Sequence, residues 1–197
     1  MIAIVDTGGA NLASVTNALD RLQRPWKLTT DQELIRAAPK VILPGVGHAA
    51  DSMGRLEARG LIPLIRSLEQ PVLGICLGMQ LLFSHSDEGG DVPCLGVIPG
   101  RVQLMAASPE ITIPHMGWNG VQWNDLVAPL FAGIRPGAHF YFVHSFKAPD
   151  GDWVGAVARH GQAVPAVVRQ NNFFGAQFHP ERSGRAGARF LENFLDL

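Results

Sequence analysis

The fold of this chain turns on the stretch PVLGICLGMQLLF, residues 71–83. It is almost wholly apolar, yet its middle carries a thiol, Cys76, flanked at two residues' distance by Gly74 and Gly78. PVLGI reads as a buried strand, and GMQLLFSH beyond the thiol reads as a helix. Strand, glycine, residue, nucleophile, residue, glycine, helix is the pattern of a nucleophile elbow. The turn is tight, so the residues two positions away must lack side chains. The reactive residue then projects from the carboxyl edge of the sheet, where open α/β folds bind ligands. A thiol there meets unpaired N–H groups and the dipole of the following helix, which favour the thiolate. The Leu77 N–H is free to donate to an oxyanion. Most free cysteines, however, are small buried hydrophobes, and this segment by itself does not separate the two readings.

Outward from the elbow, strand and helix signals alternate. IAIVD, WKLTT and KVILPG are short apolar strands, and NLASVTNALDRL places Leu12, Val15, Ala18, Leu19 and Leu22 on one helix face. MGRLEARGLIPLIRSLE is helical with an interruption near Gly60–Pro63. Such alternation implies right-handed crossovers and a parallel sheet covered on both faces. The second half changes texture: VIPGRVQLM, GVQW, HFYFVHSF, WVGAVAR, AVPAVVRQ and FFGAQF are short strands between turn residues. SGRAGARFLENFL closes the chain as a helix with Ser183 as its N-cap. The expected fold is α/β, a doubly wound, mainly parallel sheet with antiparallel additions in the second half, forming one domain over residues 1–197.

FFGAQFHPERSG supplies what a thiol needs. His179 and Glu181 lie two residues apart after an apolar strand, so alternation puts both on one face of extended chain. A base must make and hold the thiolate, and a carboxylate must fix the tautomer of the base. His48, His115 and His144 lie in loops and lack a carboxylate two residues on. LPGVGH, residues 43–48, is a further strand end whose two glycines let backbone N–H groups approach a ligand.

Together LPGVG, GICLGMQLL and FHPE resemble the class I (triad) glutamine amidotransferases. DTGGANLASV, IPHMGWN, YFVHSF and FHPERSG narrow the resemblance to the glutaminase subunits of imidazole glycerol phosphate synthase, over nearly the whole chain. The resemblance implies Cys76 as nucleophile, His179 as base and Glu181 as orienting carboxylate. Gly45, Val46 and Gly47 match the oxyanion loop, with Leu77 and Val46 or Gly47 as its donors. Gly45 and, beyond the nucleophile, Gln80 and Glu88 match positions that hold glutamine. Asn11, Trp118 and Arg182 match positions facing a partner, a (β/α)₈-barrel cyclase that consumes ammonia within a heterodimer. No cofactor or metal is implied. Two departures are the opening loop TGGANL, where many relatives carry an aromatic before the glycine, and Arg182, where some carry Lys.

Composition agrees. The 197 residues are 47% hydrophobic, and 16 basic against 17 acidic residues leave a net charge of -1. No basic block points to nucleic acid or an anionic membrane. MIAIVDTGG lacks the basic start of a signal peptide and no apolar run is long enough to span a bilayer. Two cysteines, neither in a CxxC pair, fit a reduced, cytoplasmic protein with Cys94 structural. A sister amidotransferase subunit shares the triad but not IPHMGWN, and a cysteine hydrolase has no need of it. A nucleotide-binding module would need the G-x-G-x-x-G that DTGGAN lacks, and a metal enzyme would need ligand spacing that is absent.

Overall fold

The structure is a computed structural model that describes residues 1–8, 12–45, 47–107 and 111–197. The apolar runs of the first half form β1 (Ile2–Val5), β2 (Trp26–Thr29), β3 (Val41–Gly45) and β4 (Val72–Cys76). Between them lie α1 (Leu12–Arg21), α2 (Gln32–Ala37), α3 (Ala49–Ala58) and α4 (Leu61–Arg66). Helix crossovers make these four strands parallel. Sequence periodicity missed α2, which is short. Its signal is Asp31, whose carboxylate caps the helix by accepting from the Glu33 and Leu34 N–H groups.

After β4 the prediction of a helix through GMQLLFSH fails. The helix α5 (Leu77–Gln80) lasts one turn, and the chain reverts to strand as β5 (Phe83–Ser86). The carbonyls of Leu81, Leu82 and Phe83 accept from the N–H groups of Leu95, Val97 and Gly96. They are therefore unavailable to continue a helix. The strands β6 (Val92–Pro93) and β7 (Ile98–Leu104) follow, then β8 (His115–Gly120), β9 (Gln122–Trp123), β10 (His139–His144) and β11 (Phe146–Lys147). The remaining elements are β12 (Val154–His160), β13 (Gln162–Gln170), β14 (Phe173–Ala176) and α6 (Gly184–Leu195).

The main sheet has the order β2-β1-β3-β4-β14-β13-β12-β9. Its first five strands are parallel and the rest antiparallel, the mixed arrangement expected. The pair β10-β8 and the four strands in the order β11-β7-β5-β6 make two smaller sheets. Buried strand residues alternate between two apolar layers: Ile2, Ile4 and Ile42 pack with α1 and α6, while Ala3, Val5, Val41 and Leu43 pack with α2, α3 and α4. This two-sided burial is why the strands read as continuous apolar runs.

The step that positions the site is the return of β14 to the middle of the sheet. It pairs with β4 from Phe173↔Val72 to Ala176↔Ile75. Residues 177–181 therefore emerge beside Cys76, though 101 positions separate Cys76 from Gln177. Phe178 anchors the exit: it is fully buried and packs on Phe140 (centroids 4.2 Å) and Phe190 (5.1 Å). Truncating it to Ala would cost about 3–5 kcal/mol and would loosen His179 directly.

Candidate active site

Cys76 ends β4 and caps α5 with φ 53° and ψ −110°, a conformation that side chains rarely adopt. Its neighbours hold the strain. A Cβ on Gly78 would overlap the Leu43 carbonyl oxygen, and one on Gly74 would meet the Gly78 carbonyl oxygen at 2.5 Å. Only glycines allow β3, β4 and α5 to approach this closely. The thiol is 9% exposed. It lies 3.8 Å from the Val143 carbonyl and accepts from Gln177 Nε2 at 3.8 Å. One turn of α5 is too short for a substantial macrodipole, so the expected helix-end support is small. Charge support comes from His179 instead.

His179 and Glu181 do not sit on an extended strand as alternation implied. The strand β14 stops at Ala176, and Pro180–Arg182 form a 3₁₀ turn that His179 precedes. The turn brings His179 Nδ1 to 2.7 Å from Glu181 Oε1, with the two residues 3% and 9% exposed. Burial pushes the imidazole down. Hydrogen bonds to Cys76 and Glu181, followed by the charges of both, outweigh burial and raise its pKa to about 10. Among the described residues Glu181 Oε2 has no hydrogen-bond partner, so the imidazolium is what offsets the cost of that buried charge. The pair is held from behind by Ser183. Ser183 occupies the N-cap of α6 as expected, but its hydroxyl makes no capping bond; it donates to the His179 carbonyl (2.6 Å) and accepts from the Tyr141 N–H (2.9 Å). His179 N–H in turn donates to the Tyr141 carbonyl at 2.8 Å.

These groups open on a cavity of about 350 Å³ lined by Gly47, Cys76, Leu77, Gln80, Glu88, His144, Phe146 and His179, among others. Gly45 pairs in register with Cys76, and Gly47 (φ 104°) lines the cavity. Val46 between them lies outside the described residues, as does Asn11. Gln80 spends both amide protons, on the Phe146 carbonyl and on Gln177 Oε1, each at 2.9 Å. It therefore has only its carbonyl oxygen left, an acceptor. Glu88 Oε2 accepts from the Ala49 N–H at 3.0 Å, and His48 Nδ1 lies 3.7 Å from Oε1. Burial pushes the Glu88 carboxyl up, against the Ala49 N–H and His48. Arg101 bonds Asp87 and Asp91, both at 2.8 Å, and so fixes the turn carrying Glu88. Two acceptors in the cavity lining suit an ammonium group, and a thiol in the same lining suits attack on a carboxamide.

Sequence reasoning missed Gln177, Val143 and Phe146. Gln177 was findable, being a fully buried polar residue inside an apolar run. The other two act through backbone carbonyls and carry no side-chain signal. His115 and His144 are not loop residues: they face each other across β8 and β10. Cys94 is buried, with its thiol donating to the Val92 carbonyl at 3.5 Å, and burial, helped by Glu88, pushes that thiol up to about 11. Trp118 is 57% exposed and packs edge-on to Tyr141 (6.0 Å), over whose ring the Arg182 guanidinium sits at 5.8 Å.

Comparison with known proteins agrees with this geometry. The family described as glutamine amidotransferase class-I matches residues 3–197. Imidazole glycerol phosphate synthase subunit HisH of Vibrio cholerae is 47% identical over 201 residues, covering 100% of this chain and 98% of the relative. The subunit of the same name from Xylella fastidiosa (strain Temecula1) is 50% identical over 196 residues, covering 100% and 97%. A crystal structure of a glutamine amidotransferase superposes with a TM-score of 0.75 at 20% identity over 99% of this chain and 97% of the other, a likeness of fold. With full-length relatives at this identity, and a thiol and an imidazole lining one cavity with a carboxylate bonded to the imidazole, the chain belongs to the class I glutamine amidotransferases, among the HisH subunits of imidazole glycerol phosphate synthase.

Proposed function

We propose that this chain, as one amidotransferase domain, hydrolyses glutamine at Cys76 and hands the ammonia to a cyclase subunit in histidine biosynthesis. The observation that carries the reading is Cys76 held at a strained strand end beside the buried His179–Glu181 pair, over a cavity also lined by the acceptors Gln80 and Glu88.

The raised pKa of His179 means that the proton already rests on the imidazole, opposite the sulfur. The Cys76 thiolate attacks the side-chain carbonyl carbon of glutamine. The Leu77 N–H and an N–H of the Gly45–Val46–Gly47 loop hold the oxyanion. The C–N bond breaks as His179 gives its proton to the leaving nitrogen. Acylation of the sulfur removes the charge that held the imidazole cationic, so His179, having given its proton to ammonia, stays neutral and is free to take one from water. Hydroxide adds to the thioester, glutamate leaves, and the thiolate–imidazolium pair is restored.

Ammonia in neutral water is mostly protonated and diffuses away, so direct transfer to a (β/α)₈-barrel partner in a heterodimer avoids both losses. The exposed face with Trp118, Tyr141 and Arg182 supports that role. Arg21, Arg182 and Arg185 line a neighbouring 440 Å³ hollow, which fits an acidic partner surface. The cytoplasm suits such a pair, and among the described residues no helix is long and apolar enough to cross a membrane. The test is glutamate release from glutamine by the chain alone and with purified cyclase and its ligand. The subunit alone is taken to lack one oxyanion donor, from the Gly45–Val46–Gly47 loop, until the loaded partner binds, so the partner should raise the rate about 10²–10³-fold. No glutamate release in either case would end the reading.

A further inference from the structure

His115 and His144 come from the two motifs, IPHMGWN and YFVHSF, that the triad leaves unused. They form a directly opposed pair on β8 and β10. Both are buried, at 3% and 6% exposure. His115 Nδ1 lies 2.9 Å from His144 Nε2, and the surroundings decide which atom carries each proton.

His144 Nδ1 is 2.8 Å from the Phe146 carbonyl. A carbonyl only accepts, so Nδ1 carries the proton and Nε2 is a bare acceptor. On the other side Asn119 Nδ2 lies 3.1 Å from His115 Nε2 and also donates to the Arg159 carbonyl at 2.7 Å. The second bond fixes the amide orientation, so Asn119 donates to His115 Nε2. His115 therefore carries its proton on Nδ1 and donates it to His144 Nε2. Every ring nitrogen is satisfied with both rings neutral. A further proton on either ring would break a bond: on His144 it would oppose two N–H groups, and on His115 it would meet the Asn119 N–H. The rings stacked on His115 are Phe142 (4.6 Å) and His160 (4.3 Å), and His160 Nε2 donates to the Thr112 carbonyl (2.8 Å). Burial, then the neighbouring imidazole of His160, lowers His115 to about 4. Burial lowers His144 to about 3, against the Phe146 bond and with His115, His160 and His179 adding repulsion.

The chain of bonds ends in the cavity. The Phe146 carbonyl takes His144 Nδ1 on one side and Gln80 Nε2 on the other. Two lone pairs are thereby filled. Gln80 then bonds Gln177, and Gln177 bonds the Cys76 sulfur. We propose that His115 is a positioning residue for the glutamine cavity, acting from outside it through His144 and the Phe146 carbonyl to fix the acceptor oxygen of Gln80. His144 lines the cavity and His115 does not. The inference rests on the glutaminase reading above, because it takes Gln80 to hold the substrate.

The test compares wild type, His115→Leu and His115→Asn. Leucine fills the ring's space but ends the chain, whereas asparagine keeps a donor near the Nδ1 position. Steady-state glutamate release in the presence of the cyclase should show KM for glutamine raised about tenfold in His115→Leu, the worth of one or two buried hydrogen bonds. The change in kcat should be smaller, and His115→Asn should recover most of the KM. An unchanged KM in His115→Leu overturns the proposal, as does an equal KM defect in both variants. A wild type that releases no glutamate defeats the glutaminase reading instead. A second measurement needs no stable variant. In ¹⁵N-histidine-labelled wild type, long-range nitrogen–proton correlation should show two neutral rings protonated at Nδ1, the tautomer that free histidine disfavours. Nε2-protonated or cationic rings at both positions near neutral pH would overturn the relay even if no His115 variant folds.

Discussion

His179 and His144 are both nearly inaccessible, at 3% and 6% exposure, and both line the same cavity. Their protons are nevertheless driven in opposite directions, His179 up to about 10 and His144 down to about 3. Burial acts alike on the two rings. What differs is the partner. His179 touches a thiol and a carboxylate that both gain from a cation, whereas His144 touches a carbonyl and another imidazole that leave no room for a second proton. A buried histidine is therefore not assigned a role by its burial but by whether its two nitrogens face acids or bases. In the proposed mechanism one ring carries the proton, and in the proposed relay the other is part of its frame.

The largest expected effect removes what His179 serves. Cys76→Ala should lower glutamine-driven turnover of the complex by at least about 10⁴-fold, while turnover from high ammonium salt at raised pH and binding to the cyclase persist. Retained glutamine turnover would show that the sulfur is not the nucleophile. Next, His179→Ala should cost about 10³–10⁴-fold because base and proton donor go together. Glu181→Gln should be roughly 10–100-fold milder, since the ring keeps a hydrogen-bond partner and loses charge support. If Glu181→Gln were as damaging as His179→Ala, the carboxylate would be doing more than orienting the ring.

A smaller contrast lies between the cysteines. Cys94 is held as a thiol by burial, up to about 11, and Cys76 faces an imidazolium. Iodoacetamide near pH 7.5 should therefore modify Cys76 about 10²-fold faster, read by peptide mass spectrometry over time; equal rates would remove the electrostatic contrast between the two sites.

The smallest effect is on stability. Raised above its ordinary 6.5, His179 contributes stability that is full below pH 6.5 and is lost as pH climbs towards 10. His115 and His144 have the opposite sign. The unfolded chain takes up protons near pH 6.5 that the folded chain refuses until about 4 and 3, so stability falls as pH drops through that window. Each ring adds a slope of at most about 1.4 kcal/mol per pH unit. Urea unfolding between pH 4 and 8 should give a shallower acid-side slope for His115→Asn than for wild type, and identical slopes would show that the pair titrates normally.

The elbow was legible because its spacing is local. Gly74, Cys76 and Gly78 fall within five consecutive positions of one strand-turn-helix unit, and their spacing expresses the steric limit of that turn, to which the structure adds the Leu43 carbonyl of β3 against Gly78. The alternating strands and helices of the first half were legible for the same reason, since burial on two faces leaves a continuous apolar run in the sequence. Tertiary structure decided the rest. GMQLLFSH has a composition that suits helix or strand, and the N–H groups of Leu95, Gly96 and Val97 claim the carbonyls that a helix would have used. His179 and Glu181 are neighbours in sequence, but a 3₁₀ turn, not strand alternation, aims one at the other. His115 and His144 looked alike and idle in the sequence because the atoms that set their protons, an asparagine amide and a backbone carbonyl, reach them only when β8 and β10 pair. Short-range steric rules are written in residue spacing, whereas hydrogen-bond direction and proton placement depend on which atoms the folded chain brings within about 3 Å of each other.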